Sequence, residues 1–438
     1  MYNDVTNSTR PLGVAIPGTV HLVDLDHTVQ SRHAQTRQDI VLDPTPSSDP
    51  NDPLNWSPRR KLVSLICQNL YTWFAGISVS TVYSVLVPLS EATGVSTDTL
   101  NQGTGAYVKS NRAWIAKCIL QGFFVAPIEA LPELSVTDLY FTHERGTYMG
   151  IYAFTLAGSN YFAPVICGFI AEYQGWKWVF YWPAVFLGAA LIFLLLFMEE
   201  TNYSRGVTVT PGLPVMHSAA QEKVPLATPA PQTVDVAEAS TVSKTYFQKL
   251  SVWNFNPSQN MIRHAIQSVS FLGWPVIFYA GFSYGSYLVL FNVLNATASI
   301  ILSAEPYNFA SSMVGLSYLS CCIGVIIAAF VSGRISDWLT IKLARHNGGI
   351  MESEQRLWPF AICIITVPGS LILWGVGAQH GIHWFGLIFG MGSLAFTSTM
   401  GITLSVNYLV DSYHDISSDA LVTVILVRNT MSFAIGYG

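Results

Sequence analysis

Five ionisable side chains lie inside long apolar stretches of this chain: Lys117, Glu129, Glu133, Asp138 and Arg428. A charge at mid-depth of a bilayer costs about 2.5 to 3.5 kcal/mol on insertion scales, so we expect each to face protein or a watery cavity. Glu129 and Glu133 are four residues apart and share one helical face. Two acids on one inward face could bind a cationic solute or exchange a proton. Both could instead be structural partners of Lys117 or Arg428, or could lie near the cytoplasmic edge of the membrane.

Polar and aromatic residues accompany these charges. Asn429 adjoins Arg428, which could be a counter-ion for an acid across the cavity or could lie near the end of its helix. Aromatic rings attract organic cations, which makes several further residues candidates for the cavity wall. They are Tyr279, Tyr284, Tyr287 and Asn292. Tyrosines at a membrane interface or in helix packing would look the same in sequence.

Composition indicates an integral membrane protein. Of 438 residues, 51% are hydrophobic and 11% are charged, where a soluble domain has about 25% charged residues, and the mean hydropathy is +0.40. The sequence has no basic patch for nucleic acid, no metal-ligand cluster, no nucleophile triad and no phosphate-binding loop. We therefore expect no cofactor and no enzymatic activity. All six cysteines lie in apolar runs and are expected to pack rather than to form disulfides.

Apolar runs and their flanking charges predict nine spans in two groups. Residues 1–60 are polar and rich in proline and aspartate and are expected to be a disordered tail. Residues 61–200 hold four spans, 201–265 form a linker, and 266–438 hold five spans. Arg59, Arg60 and Lys61 beside the first span place the tail in the cytoplasm by the positive-inside rule.

The two halves carry a weak internal echo. The tripeptide Leu-Ser-Val begins at Leu134 and again at Leu404, and nearly the same interval separates Asn160 from Asn429. Such parallel repeats occur in membrane transporters. The interval between corresponding spans runs from Phe271 to Ile382 in the second half but only from Val63 to Trp114 in the first. The first half therefore lacks about 60 residues, room for two spans, near Gly103–Ala106.

Several motifs resemble those of the major facilitator superfamily. The run Gly333-Arg-Ile-Ser-Asp337 is similar to its cytoplasmic loop motif. The run Lys117 to Gly122 is similar to its fourth-helix motif, with lysine in place of the usual arginine. The run from Gly158 through Pro164 to Gly168 resembles its fifth-helix antiporter motif, and Met198–Thr201 resembles the exit from its sixth helix. Together with the segment around Arg145, these motifs look like the fungal drug:proton antiporter-like branch.

The resemblance implies an all-α polytopic membrane protein with a major facilitator fold, lacking helices 2, 3 and 12. It implies a monomeric secondary transporter of small organic solutes, drug-like or cationic, driven by protons and located in the plasma membrane. The aspartate of the loop motif would cap a neighbouring helix or pair with a base as a gate. Two alternatives stay open: a transport-inactive, truncated or mis-spliced family member, and a membrane receptor.

Overall fold

The computed structural model describes residues 18–24, 33–34, 37–47, 49–81, 83–93, 120–201, 203, 261–413 and 416–436. Across these residues the architecture is all-α and polytopic, and eight helices are long and apolar enough to cross a bilayer. The first half contains α1 (Pro58–Ser80), α2 (Leu86–Thr93), α3 (Pro127–Leu139), α4 (Thr142–Tyr173) and α5 (Trp178–Phe197).

The second half begins with α6 (Met261–Ser270) and α7 (Pro275–Ser303). The next long helix consists of α8 (Ser311–Ser317), α9 (Leu319–Phe330), a π-helical turn (Val331–Ile335) and α10 (Ser336–His346). The last three are α11 (Phe360–Gln379), α12 (Trp384–Ser412) and α13 (Ser417–Gly436).

Eight of the nine predicted spans coincide with these helices. The remaining one, predicted from Trp114 to Leu139, is described only from residue 120, where a turn at Ala126 separates a short helical stretch from α3. Lys117, the predicted break near Gly103–Ala106 and the predicted linker after residue 203 lie outside the described residues.

Helix α4 joins the two halves along its whole length. A Cβ on Gly150 would lie 2.7 Å from the Ala329 carbonyl oxygen, and one on Gly168 would lie 2.5 Å from that of Ser311. Small residues let helices in a membrane approach to backbone contact. Gly168 and Pro164 of the predicted fifth-helix motif meet α8 at Gly315. Gly158, in contrast, lies against Trp73 of α1 in its own half.

The loop motif has a different structure from the one predicted. Gly333 lies in the π-helical turn, Asp337 lies in the first turn of α10, and the helix continues to His346. The prediction of a loop at the end of the span is therefore wrong. Gly333 instead sits against Gly146 of α4, where a Cβ would lie 3.2 Å from the Gly146 carbonyl oxygen.

The described parts of the N-terminal tail also differ from the expectation of disorder. Strand β1 (Thr19–His21) pairs antiparallel with β4 (Ile350–Glu352), and β2 (His33–Ala34) pairs with β3 (Arg37–Val41). Leu22 and Val23 are buried in a cluster with Ala344 and Met351. The tail obtains its apolar partners from a distant segment of the second half, which local composition does not reveal.

The tail contacts both halves of the molecule. The Asp43 carbonyl oxygen accepts the Thr142 N–H at 2.8 Å, and its carboxylate accepts the Thr142 hydroxyl at 2.8 Å. This satisfies a donor that the first turn of α4 would leave unpaired. Asp39 pairs with Arg345 of α10. We call the end of the bundle that carries the tail, where α1 and α4 begin and α12 ends, the tail face.

Candidate functional site

A central cavity lies between the halves, and its empty space, which includes solvent at its opening, is about 670 Å³. Helices α3, α4, α7, α12 and α13 surround it, and apolar side chains cover much of its wall. Its lining residues are Glu129, Glu133, Met149, Tyr152, Ala153, Leu156, Ala157, Asn160, Tyr161, Tyr284, Leu288, Phe291, Ser398, Thr399, Ile402, Thr403, Val406, Asn407 and Arg428. An apolar cavity with a few polar groups is the usual form of a small-molecule site.

Arg428 is held at the cavity by two partners. Its guanidinium forms an ion pair with the Glu129 carboxylate. Its Nη1 donates to the Tyr284 hydroxyl at 2.7 Å, and its central carbon lies 4.6 Å from the Tyr284 ring centroid. Arg428 is 4% exposed, so this charge depends on its partners for stabilisation. Glu129 and Arg428 together contribute no net charge to the cavity.

Glu133 is the second acid of the cavity and differs from the first. It is 3% exposed, and its carboxyl group interacts with the Tyr152 hydroxyl. Among the described residues no basic side chain forms a salt bridge with it. An acid buried without a basic partner is costly when ionised, because burial removes its hydration. Glu133 is therefore a group that a proton or a bound cation would stabilise.

The opposite wall of the cavity is formed by one polar face of α12. Thr399, Thr403 and Asn407 are spaced four residues apart and all line the cavity. Thr403 donates to the Thr399 carbonyl oxygen at 2.8 Å. The Asn407 side chain is 2% exposed. This wall carries hydrogen-bonding groups and no charge.

The structure brings together five of the predicted site residues and separates the others. Glu129, Glu133, Asn160, Tyr284 and Arg428 line the central cavity. Asn160 accepts a hydrogen bond from the Ser80 hydroxyl.

The predicted residues outside this cavity have other surroundings. Tyr279 and Tyr287 line a separate recess with Trp358 and Cys363 and lie outside the lining of the central cavity. Their place on a substrate path stays a prediction. Asn292 is also outside the cavity lining and donates to the Ser432 hydroxyl. These side chains lie on other faces of α7, an orientation that residue type alone does not fix.

Sequence reasoning missed Tyr152, Thr399 and Asn407. None carries a charge at neutral pH, so none attracts notice in an apolar run. The available signal was the spacing of the α12 polar residues, which places them on one helical face.

A second polar cluster closes the tail face between the halves. Asp411 accepts from Arg145 at 3.0 Å and from Arg356 at 2.7 Å. Arg356 also pairs with Asp337 at 2.6 Å. Asp337 accepts from the Thr147 N–H at 2.6 Å and from its hydroxyl at 2.7 Å. All four charged residues are buried.

This cluster holds α4 of the first half against three elements of the second. Asp337 contacts Thr147, the sixth residue of α4, and pairs with Arg356. Its predicted role in a gate stays a prediction. Arg356 and Asp411 were not among the predicted site residues, because in sequence they read as charges of polar loops. Their burial follows from the packing of the halves.

A groove opens on one side of the first half. It lies between α1, α3 and α13, and its empty volume is about 710 Å³. Its lining residues are Val79, Gln121, Gly122, Val125, Ala126, Ile128, Glu129, Ile425 and Asn429. Glu129 therefore borders both the groove and the central cavity, and Asn429 lines the groove instead of the cavity.

The sequence profile described as Major Facilitator Superfamily matches residues 102–436. That match covers most of the chain, including every helix that lines the central cavity. The chain belongs to the Major Facilitator Superfamily.

Relatives from fungi agree with this assignment. The chain is 26% identical to an uncharacterized MFS-type transporter of Schizosaccharomyces pombe, over 95% of this chain and 85% of the relative. It is 23% identical to Protein HOL1 of Saccharomyces cerevisiae, over 95% of this chain and 87% of that relative. It is 24% identical to the MFS transporter fsa7 of a Fusarium species, over 89% of this chain and 80% of that relative. This facilitator is therefore a multi-pass membrane transport protein.

Proposed function

We propose that this facilitator carries a small organic cation across its membrane in exchange for protons, by alternating access to the central cavity. The observation that supports this proposal is Glu133, an acid buried at the cavity with no basic partner among the described residues. The other acid, Glu129, is already paired with Arg428. A positive charge in this cavity would therefore meet one uncompensated carboxylate.

Proton coupling would use the same carboxylate. A protonated Glu133 is neutral and has no attraction for a cation, whereas an ionised Glu133 is stabilised by one. Substrate and proton would compete for the Glu133 carboxylate. The transporter would therefore change between its outward-open and inward-open states with one or the other bound. The aromatic face of Tyr284 and the apolar wall residues would hold the rest of an organic cation.

The distribution of charge supports a cytoplasmic tail face. Arg59, Lys61 and Arg345 lie at this face. At the opposite end of the bundle, the described connections between helices contain one lysine, Lys177, and no arginine. Lysine and arginine are enriched on the cytoplasmic side of membrane proteins. With that orientation, the cluster around Asp411 would close the cytoplasmic path and would separate when the cavity opens inward. We place the protein in the plasma membrane as part of this proposal.

Uptake into proteoliposomes tests the proposal. We expect purified protein to move radiolabelled tyramine, a small organic cation, faster when a pH gradient is imposed. Glu133→Gln should abolish the response to the gradient, because an amide cannot exchange a proton. Glu305→Gln, in an exposed turn outside the cavity, is the matched control and should behave like the wild type. Gradient-driven uptake that persists in Glu133→Gln would contradict the proposal.

A transport-inactive protein is a second candidate, supported by the side groove. The alignment with the Schizosaccharomyces pombe relative runs over 493 positions, which is more than the 438 residues of this chain. A segment of the relative therefore has no counterpart here, and helices 2 and 3 are what we propose this chain lacks. A groove beside Glu129 is where such a loss would leave the cavity wall open.

The two candidates give different results in one experiment. A transporter accumulates tyramine in liposomes, whereas an inactive protein binds tyramine through Glu133 and accumulates none. A seven-span receptor, the remaining alternative, disagrees with the eight spans of the described residues and with the family match.

A further inference from the structure

Asn407 lines the cavity with an amide that is unpaired at both its donor and its acceptor end among the described residues. Both its Nδ2 and its Oδ1 are buried and have no hydrogen-bond partner among the described residues. The side chain is 2% exposed and lines the central cavity. Leaving a buried donor or acceptor unpaired costs about 1 to 3 kcal/mol, and native proteins rarely keep such groups. We therefore expect the Asn407 amide to form hydrogen bonds with a molecule bound in the cavity.

Thr399 adds a second unpaired group on the same wall. Its hydroxyl is buried without a partner in the described chain, and the residue is 2% exposed. It precedes Asn407 by two helical turns on the face of α12 that lines the cavity. Buried threonine hydroxyls in helices usually donate to the carbonyl one turn before them, as Thr403 does here. Thr399 is thus an exception on the wall that carries Asn407.

The partner must both donate and accept hydrogen bonds. A neutral asparagine amide offers two donors and one carbonyl acceptor, and here neither end is satisfied. A second charge is disfavoured on this wall, because the polar residues of α12 that line the cavity, Ser398, Thr399, Thr403 and Asn407, are all neutral. A hydroxyl or an amide group meets the requirement, since each contains a donor and an acceptor.

We propose that Asn407, with Thr399, binds a neutral hydroxyl or amide group of the transported cation. The substrate class is then an organic cation that carries a hydrogen-bonding group apart from its charge. This inference rests on the proposed function, because Glu133 would take the charged end. A site built to hydrogen-bond one substrate group discriminates strongly against an analogue that lacks it, since the protein group then stays unpaired.

A matched pair of ligands tests this specificity. Tyramine and phenethylamine are both primary amines on an aromatic ring and differ by one hydroxyl. Equilibrium binding of each to the purified full chain in lipid nanodiscs needs no transport. We expect the wild type to bind tyramine about tenfold more tightly than phenethylamine. Asn407→Leu should reduce that ratio to near one and leave phenethylamine affinity unchanged or improved.

Two further variants make the result specific. Thr399→Val removes one hydroxyl with little change of shape and should lower the ratio about threefold, so it decides the question if Asn407→Leu does not fold. Asn295→Leu is the control: Asn295 is an equally buried asparagine of α7, has an unpaired Oδ1 and lies outside the cavity lining. Its loss should leave the ratio at the wild-type value.

The outcomes separate this inference from the proposed function. Equal binding of the two amines by the wild type, or an unchanged ratio in both α12 variants, would overturn the role of Asn407 and leave the cation site intact. Failure of Glu133→Gln to weaken either amine would overturn the cation site itself, and the inference with it. A hydroxyl-dependent ratio that the α12 variants remove, with Asn295→Leu unaffected, supports the role of Asn407, and weaker binding of both amines to Glu133→Gln supports the cation site.

Discussion

Three residues determine the charge of the central cavity. Arg428 is buried and shared between the Glu129 carboxylate and the Tyr284 hydroxyl. Among the described residues, this leaves Glu133 as the cavity group without a compensating charge. Removing one partner of a buried ion pair is more damaging than removing both, because a lone charge remains in a medium that hydrates it poorly. The consequence can be measured by a double-mutant cycle.

We predict that Arg428→Met lowers the free energy of unfolding by about 3 kcal/mol. The double variant Glu129→Gln/Arg428→Met should recover more than half of that loss, because it leaves neither charge of the pair without its partner. Thermal unfolding of the purified protein in detergent measures both. The pair Arg60–Glu199 is a suitable control, since its side chains are 24% and 20% exposed, and Arg60→Met should cost about 1 kcal/mol or less. A double variant no more stable than Arg428→Met would contradict the coupling.

The sequence could identify the charged part of this site but not its pairing. Glu129, Glu133 and Arg428 are noticeable because ionisable residues are rare in apolar spans. Which acid pairs with Arg428 depends on where α13 lies against α3, a relation between segments from opposite halves of the chain. Asn407 was not identified, because an asparagine in an apolar helix is informative only when its lack of partners is known.

At the scale of elements, α4 is the helix on which the two halves meet. Its glycines allow backbone contact with α8, α9 and the π-helical turn. π-helical turns inside α-helices are frequent at functional sites, and this one places Gly333 against α4 and Asp337 one turn later at the beginning of that helix. Close contact of this kind tolerates no added side-chain atoms unless a helix moves.

We predict that Gly150→Ala destabilises the contact between the halves by about 1 to 3 kcal/mol. Its Cβ would lie 2.7 Å from the Ala329 carbonyl oxygen and 3.0 Å from the Gly333 Cα. Gly188→Ala is the matched control, because a Cβ there meets no described residue within 4 Å, and alanine should stabilise α5 by about 0.5 to 1 kcal/mol. Opposite changes of melting temperature in the two variants are the expected result. Equal changes would show that the approach of α4 to α9 is not tight.

Prediction of elements from sequence succeeded where hydropathy determines them. The spans were found because an apolar run of about 20 residues has few alternatives to a membrane helix. The described part of the tail was predicted to be disordered, but β1 pairs with β4. A strand of three residues has no recognisable pattern in its own sequence. The motif from Gly333 to Asp337 was predicted to be a loop because several of its residues are polar. Polar residues of this motif are buried by the packing of the two halves, which the sequence of one segment does not reveal.

At the scale of the whole molecule, the cluster around Asp411 fastens the halves together at the tail face. Asp411 serves two arginines, Arg145 from the first half and Arg356 from the second. Asp411→Asn would leave those two positive charges with Asp337 as the remaining acid of the cluster. The closed arrangement would then lose stability relative to one that admits water between the halves.

We predict that Asp411→Asn raises amide hydrogen exchange in residues 142–150 of α4 by about tenfold or more. The loss of one partner of buried charges, about 3 to 5 kcal/mol, exceeds what such an increase requires. Asp39→Asn is the control: Asp39 pairs with Arg345, but the two side chains are 34% and 47% exposed, so exchange should change little. Unaltered exchange in Asp411→Asn would show that the cluster does not hold the tail face closed.

The tail offers a separate prediction on the same face. Val23 is fully buried against Ala344 and Met351, and we predict that Val23→Ser makes the tail about tenfold more sensitive to limited proteolysis while the spans stay folded. Thr19→Ala, at an exposed position of β1, should behave like the wild type. Equal cleavage of the two variants would contradict the docking of the tail seen here.

The pairing of β1 with β4 also determines when β1 can dock during synthesis of the chain. Thr19 is synthesised well before its partner Glu352, which belongs to the second half of the chain. At roughly 5 to 20 residues per second, the tail waits on the order of 20 to 70 seconds before β4 exists. The contact with Thr142 can form earlier, but the strand pairing cannot. Docking of β1 is thus a late event of biogenesis, and a protected tail would report that the second half has been inserted and folded.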